Sequence, residues 1–373
     1  MQCTINGAHV MIYFYPSNFH FTCFEWIIQG KLFHTPPFNL KNLCAAGTEE
    51  GPILLISKLT QSIVPVCLLC VHKRKVSDIA MSHQINTFLS VSIDGSVAGW
   101  HCSDGSCCFV YDNLLPPGEI KIVLCDSNAS FAWFWTRGES ASLVDLKRGT
   151  VVQKIDFVGL SSFAILKKHS NFLSNPNHQQ SSQSSSHTNQ PSFAIMAGIN
   201  RLRTYQIDEK TNFFKCKKVD EILFSLGQKY FLTSNGIITV KDKLLKIFLP
   251  NIEIPIYTEN ITEMSDDDII STASWKHPET LIISSFKGFF KIYKMQILKN
   301  DSSQRISIQK VKTFSCPDCC IFSNIAINFD IGFVIFAATS FPKKHKKTKK
   351  SSANQSTVMC LSINDQKIVK LVI

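Results

Sequence analysis

The chain is short of most features that announce a chemistry. Its longest unbroken apolar stretch, residues 63–71 (IVPVCLLCV), is about half of what a membrane-crossing helix needs, so no span is expected. The N-terminal residues MQCTINGAHVMIYF lack the cationic start of a secretory signal, and no Arg-rich leader is present; residence in the cytosol is the expectation. Fourteen cysteines in 373 residues fall far below the density of a disulfide scaffold and sit among apolar neighbours, which predicts reduced and mostly buried thiols. No G-x-S-x-G, G-x-x-x-x-G-K-[ST], H-E-x-x-H or G-x-G-x-x-G occurs, so a nucleophile elbow, a phosphate cradle, a zinc-protease helix and a dinucleotide turn are not expected. Charged residues make up only 18% of the chain against 45% hydrophobic, a balance that excludes wholesale disorder and allows a large core.

The net charge of +11 suggests a polyanion partner until it is localised. Lys343, Lys344, Lys346, Lys347, Lys349 and Lys350 (KKHKKTKK) carry six of the positive charges, leaving 33 cationic against 28 anionic residues elsewhere. The body is therefore nearly neutral. As an insertion in a hairpin, this tract reads first as a solvated, disordered loop (342–356). It can also contact an anionic surface, a membrane bearing acidic headgroups being favoured over nucleic acid because no aromatic side chains are interleaved for base stacking.

No segment holds a 3.6-residue period for three turns. The texture is instead apolar, β-branched and aromatic runs of five to eight residues separated by Gly, Asn, Asp and Ser, which predicts an all-β chain with sheets covered on both faces. A length of 373 suggests two domains, but one all-β domain built by radial repetition reaches it. Residues 71–100 (VHKRKVSDIAMSHQINTFLSVSIDGSVAGW) are the most informative segment. They contain a His, a strand with Val76 and Ile79 alternating with polar residues, a loop at 83–86, a strand at 87–91, an Asp-Gly turn, and a strand closing on Trp100. The spacing allows a polar lock. The Asp94 carboxylate holds the His72 imidazole, His72 reaches the hydroxyl of Ser90 or Ser92, and that hydroxyl meets the indole N–H of Trp100. His72 can also be read as a general base, but its spacing favours the structural role.

This segment resembles a WD repeat without a gap, Val71-His72 standing in the Gly-His place and His101 where the final Asp would be. Weaker copies, anchored on turn positions 51, 138, 200, 236 and 288, flank the one at 95, at spacings of 44, 43, 62, 36 and 52. The long interval contains a Ser/Gln/Asn/His tract, residues 171–192, expected to be a disordered loop; without those 22 residues the interval is 40. Four-stranded repeat units consume ~40–45 residues each. A seventh unit fits residues 320–373, with strands expected near 325–327, 333–338, 358–363 and 367–373. The resemblance thus implies a single domain over residues 1–373. Its expected fold is a seven-bladed WD-repeat β-propeller with degenerate blades and two disordered loop insertions. The N-terminal strand at 10–15 is expected to pair with the seventh sheet and close the ring.

Three further pieces are similar to the N-terminal propeller of the WD-repeat protein seven, or rabconnectin-3 beta, family. They are Ser103-Asp104-Gly105-Ser106-Cys107 after the closing Trp, the aliphatic-Asp strand and turn at 143–152 (LVDLKRGTVV), and 281–295 (LIISSFKGFFKIYKM). That resemblance covers roughly residues 40–300. It implies a non-enzymatic interaction scaffold that binds a rabconnectin alpha-like subunit and regulates vacuolar proton pump assembly and endosomal acidification, cytoplasmic and peripheral on endosomal or vacuolar membrane. The alternatives are a nucleic-acid-associated or ubiquitin-ligase adaptor propeller using the basic loop, and an enzyme with its site in the axial channel. No cofactor is expected. Cys67-Leu-Leu-Cys70 and Cys316-Pro-Asp-Cys319 mimic a zinc or redox pair, but residues three apart on a strand point to opposite faces and no helix follows the second pair, so buried thiols are expected. Ser265-Asp266-Asp267-Asp268 reads as a solvated turn, and Asn260-Ile261-Thr262 matches a glycosylation sequon with no role in the cytosol.

Overall fold

The structure is a computed structural model. It describes residues 2–5, 8–11, 20–27, 43–58, 63–82, 87–102, 105–124, 130–166, 192–198, 201–207, 216–223, 229–233, 236–248, 255–262, 270–277, 280–285, 289–300, 303–315, 320–328, 333–340, 356–362 and 368–370. All regular structure among them is strand. A hairpin of β1 (Gln2–Ile5) and β2 (Ala8–Met11) precedes seven four-stranded antiparallel sheets, each built from four consecutive strands.

Sheet one comprises β3 (Phe21–Ile27), β4 (Leu43–Thr48), β5 (Ile53–Lys58) and β6 (Ile63–Leu69). Sheet two comprises β7 (Val76–Ser82), β8 (Thr87–Ser92), β9 (Val97–His101) and β10 (Cys107–Tyr111). Sheet three comprises β11 (Ile120–Leu124), β12 (Phe131–Thr136), β13 (Ser140–Asp145) and β14 (Thr150–Asp156). Sheet four contains β15 (Ser162–Leu166), β16 (Ser192–Ala197), β17 (Arg201–Ile207) and β18 (Cys216–Leu223). Sheet five contains β19 (Lys229–Leu232), β20 (Ile237–Lys241), β21 (Leu244–Phe248) and β22 (Tyr257–Asn260). Sheet six holds β23 (Ile270–His277), β24 (Thr280–Ser285), β25 (Phe289–Asn300) and β26 (Ser303–Ser315), and sheet seven β27 (Cys320–Asn328), β28 (Phe333–Ser340), β29 (Ser356–Ser362) and β30 (Ile368–Lys370).

The strands follow from composition: β8 (TFLSVS) and β12 (FAWFWT) are β-branched and aromatic, and neither contains Gly or Pro. Burial falls from the inside of a sheet outwards. In sheet two β8 is buried at every position, whereas the fourth strand, β10, has no fully buried residue. The polar text of β14 (TVVQKID) has the same explanation, since a fourth strand is covered least. A second strand buried at every position therefore marks a sheet with neighbours on both faces.

Those neighbours are the adjacent sheets. Leu55, Cys67, Val76 and Phe88 belong to one core shared by sheets one and two. Leu89 and Val91 join Ile120 and Phe134 between sheets two and three, and Trp133 and Leu143 join Phe163 and Met196 between sheets three and four. Ile238 and Ile247 join Leu281 and Tyr293 between sheets five and six. Each fully buried Leu, Ile, Val or Phe contributes ~1.5–3 kcal/mol, so no sheet is stable without its flanks. The backbone of β27 lies beside β3 and beside β23, which brings the last sheet against the first.

Two expectations are corrected. Among the described residues the N-terminal strand does not join the seventh sheet: β2 pairs with β1, Val10 opposite Cys3 and Met11 opposite Gln2, while the four strands of sheet seven come from residues after 319. Residues 12–15 lie outside the described residues. Gly236 does not occupy the same turn as Gly51, Gly95 and Gly138, which join second to third strands; it precedes β20, and in sheet five that turn is Asp242-Lys243, with φ of 47° and 67°. Asp is among the residues that tolerate this left-handed geometry, which is why no glycine marks the position. Residues 171–191 and 342–355 lie outside the described residues, with Ser192 and Ser356 opening β16 and β29.

Candidate functional site

Four antiparallel strands repeated in order fix which loops meet. The turn between second and third strands and the connection from a fourth strand to the next sheet emerge at one end; the other two turns emerge at the opposite end. His72, in the connection from β6 to β7, is for this reason next to the β8–β9 turn that carries Asp94, Gly95 and Ser96. Gly95 has φ of +84°, and a Cβ there would run into the Leu115 carbonyl, so the turn admits only glycine.

The polar group at this junction is buried: His72 is 6% exposed, Trp100 2% and Ser90 0%. Trp100 Nε1–H donates to Ser90 Oγ at 2.9 Å, and Ser90 Oγ is 2.7 Å from His72 Nε2. On the far side of the ring, His72 Nδ1 lies 2.8 Å from Ser96 Oγ. The Ser96 amide donates to Asp94 Oδ1 at 3.0 Å. Each ring nitrogen of His72 thus has a serine hydroxyl at hydrogen-bond distance, and Trp100, Ser90, His72, Ser96 and Asp94 form one polar relay.

Asp94 thus reaches the imidazole through Ser96. The alternative between Ser90 and Ser92 resolves as well: Ser92 Oγ donates to the Arg74 carbonyl at 3.1 Å and accepts the Asp94 amide at 3.5 Å, pinning the β6–β7 connection from outside the relay. Ser96, in the turn Asp94-Gly95-Ser96 itself, is the residue that spacing did not single out. Burial lowers the His72 pKa to about 4, against a smaller upward pull from Asp94 and Asp112. Burial works against ionisation of Asp94, but the Ser96 hydroxyl and amide outweigh it and hold this carboxyl below its ordinary value. A neutral imidazole committed on both nitrogens has neither lone pair nor proton to offer a substrate.

Among the described residues no other sheet shows this arrangement. The indole N–H groups of Trp26 and Trp133 are buried with no acceptor, so serine placement rather than tryptophan distinguishes sheet two.

A second polar cluster joins sheets five and six. Lys291, fully buried on β25, is paired to Glu259 on β22, whose other oxygen accepts from Tyr293 Oη at 2.8 Å and Tyr257 Oη at 3.0 Å. Alternation along Phe289, Lys291 and Tyr293 puts the lysine on a core-facing side, the signal that finds it in FFKIYK. Between sheets two and three, Asp78 accepts the Ile122 amide at 2.9 Å and Lys121 donates to the Ser77 carbonyl at 2.9 Å. These contacts hold neighbouring sheets in register.

Cys67 is buried on β6, whereas Cys70, just past the end of that strand, is exposed, which corrects the expectation of a buried thiol there; partial burial still raises the Cys70 thiol pKa. Cys316, Cys319, Asp266 and the lysines Lys343 to Lys350 lie outside the described residues. Among the described residues no three His, Cys, Asp or Glu side chains group to hold a metal, and no helix is long and apolar enough to cross a membrane.

Comparison with solved structures decides the architecture. The β-propeller domain of Cps50 (Swd1) from Myceliophteria thermophila superposes with a TM-score of 0.54 at 12% identity, covering 80% of this chain and 85% of that one. The C-terminal WD40 domain of Sif2 gives 0.54 at 12% identity over 91% and 95%, and U3-55K gives 0.58 at 8% over 95% and 96%. The fold is that of a WD40 β-propeller. No protein-family model matches the chain, and no curated protein matches it in sequence. Identities this low establish a shared fold alone, so the function of this WD40 propeller has to be argued from its own residues.

Proposed function

We propose that this propeller is a seven-bladed, non-enzymatic scaffold that presents protein-binding loops from a rigid ring. The observation that carries this reading is the strand order. Seven sheets of four antiparallel strands gather the second-to-third turns and the inter-sheet connections at one end, a broad loop surface held on a fixed frame. The best-formed polar group serves to pin that surface, through His72 and Ser92, and is fully used in doing so.

The resemblance to rabconnectin-3 beta makes the scaffold a regulator of vacuolar proton pump assembly and endosomal acidification, working with a rabconnectin alpha-like subunit. In support, the resembling segments fall on hairpins: Gly105 to Cys107 lead into β10 and residues 143–152 span β13 to β14, both between third and fourth strands, while residues 281–295 span β24 to β25, the second and third strands of sheet six. The scaffold is cytoplasmic and peripheral on endosomal or vacuolar membrane, with Lys343, Lys344, Lys346, Lys347, Lys349 and Lys350 facing acidic headgroups, each lysine near the surface contributing ~1 kcal/mol. Affinity purification of the tagged full chain tests this. Recovery of proton-pump subunits together with a rabconnectin alpha-like protein is expected, and their absence under conditions that recover other partners contradicts it. The same six lysines favour one second reading, an adaptor that uses the basic loop on nucleic acid. RNA or DNA binding that falls steeply with salt and disappears on Lys→Ala replacement of the tract would select it.

A further inference from the structure

One patch at the loop end of sheets three to five is unlike the rest of the surface. Val158, in the connection from β14 to β15, is 78% exposed, the most exposed large hydrophobic side chain among the described residues. It is held out rigidly. The flanking Phe157 and Leu160 are buried at 1%, and the Gly138 and Gly159 amides donate to the Leu160 and Gly138 carbonyls at 2.7 and 2.9 Å, tying this connection to the β12–β13 turn.

Cations surround the exposed valine. Arg201 Nη2 donates to the Val158 carbonyl at 3.0 Å, and the guanidinium groups of Arg201 and Arg203 lie 4.8 and 5.0 Å from the centre of the Phe157 ring. Arg137, 68% exposed on the β12–β13 turn, is paired with Glu119 at 3.1 Å. Lys229 opens β19 nearby; burial and then the charge of Arg137 lower its pKa, as two cations brought together require. Among the described residues Glu119, the exposed Glu139 and Asp156 carry carboxylates in this region, Asp156 being paired with Lys154 at 3.1 Å, so the five cations Arg137, Lys154, Arg201, Arg203 and Lys229 stand against three anionic side chains. Nothing approaches the Cβ position of Gly138, which leaves open space beside the valine.

We propose that this patch docks an acidic peptide segment of a partner protein, an apolar side chain packing on Val158 while flanking Asp or Glu carboxylates meet Arg137, Arg201 and Lys229. Charge complementarity selects the partner: fixed guanidinium groups bind carboxylates with directional hydrogen bonds, and a rigid exposed aliphatic side chain supplies the apolar anchor. A peptide satisfies both needs, whereas a nucleic-acid backbone has no use for the valine. The inference rests on the scaffold reading and gives it a surface and a partner chemistry.

The test is selection of a randomised 12-residue peptide library on the intact full-length chain, with affinities of the enriched peptides measured by fluorescence polarisation. Enriched peptides are expected to carry Asp or Glu within a few residues of Leu, Ile, Val or Phe. R137E/K229E and V158D should each weaken them by about tenfold or more, with unchanged circular dichroism and melting temperature. K147E/R148E, an equal charge reversal on the β13–β14 turn at the opposite end, should leave binding unaltered. Enrichment of basic or uncharged peptides, equal loss in K147E/R148E, or competition by a single-stranded 20-mer oligonucleotide that R137E/K229E abolishes would each overturn the proposal. Acidic peptides that bind V158D as well as wild type would overturn it too, while leaving the scaffold reading to the pump-subunit purification.

Discussion

Ser90→Ala is the sharpest probe of the buried relay, because one hydroxyl serves two partners. Its loss leaves the Trp100 indole N–H without an acceptor at a 2% exposed site and His72 Nε2 without its hydroxyl partner at a 6% exposed site. Each orphaned buried group costs ~1–3 kcal/mol, so the pair costs about 2–6 kcal/mol. Ser92→Ala, two residues along the same strand and equally buried, removes a donor to the Arg74 carbonyl and a long 3.5 Å acceptor of the Asp94 amide, both part-buried partners that water can reach, and is expected to cost about 1 kcal/mol. If the ring unfolds as one unit, unfolding entropy of ~2.1 cal/mol/K per residue converts about 3 kcal/mol into a fall in Tm of roughly 4 °C, against roughly 1 °C for the Ser92 variant. Differential scanning calorimetry of both variants beside wild type gives the comparison, and hydrogen exchange of the β8 and β9 amides localises it. Equal falls in Tm, or exchange that quickens no more in Ser90→Ala than in Ser92→Ala, would refute the relay.

The remaining predictions concern charge, pairing and thiols. His72 has a folded pKa of about 4 against 6.5 when unfolded, so between those values the unfolded chain binds more protons. Its contribution is complete above pH 6.5 and is lost as the pH falls towards 4, by up to about 3 kcal/mol; His72→Asn should flatten that part of a stability profile measured by urea unfolding. Glu259→Gln leaves Lys291 charged and fully buried, an expected loss of about 3–5 kcal/mol, whereas the double variant Glu259→Gln with Lys291→Met should recover a large part of it. Of the cysteines whose burial the structure gives, Cys70, Cys107 and Cys108 should be alkylated in the native state and Cys23, Cys44, Cys67 and Cys102 only on unfolding, burial having pushed the Cys23 and Cys102 thiols up to about 12; peptide mass spectrometry reads the order.

What the sequence made legible follows the physics of each sheet. Sheet two could be read almost strand by strand because a buried polar relay needs particular residue types at fixed spacing, and His72, Ser90 and Trp100 leave that trace. Sheet seven was legible from apolar runs alone, its strands falling within a few residues of the expected ones. Sheet five was misread because its tight turn uses Asp242 and Lys243 in positive φ, while the conspicuous Gly236 serves a different connection. The direct contact of Asp94 with His72 was also misread, since Ser96 is placed equally well by sequence and only the turn geometry separates them. Glu259 and Lys291, 32 residues apart, meet through the packing of two sheets, which local pattern does not encode. The cationic patch around Val158 is of the same kind, assembled from turns and connections of three sheets.

The central claim is a closed ring of seven four-stranded sheets, and an electron-density map of the full chain viewed down its axis tests it most directly. Seven radial sheets, with the strand beginning at Cys320 seated beside the strand beginning at Phe21 and the 2–11 hairpin outside the seventh sheet, are the predicted result. Six or eight sheets, a gap between the last sheet and the first, or two face-to-face layers with no axis would contradict it.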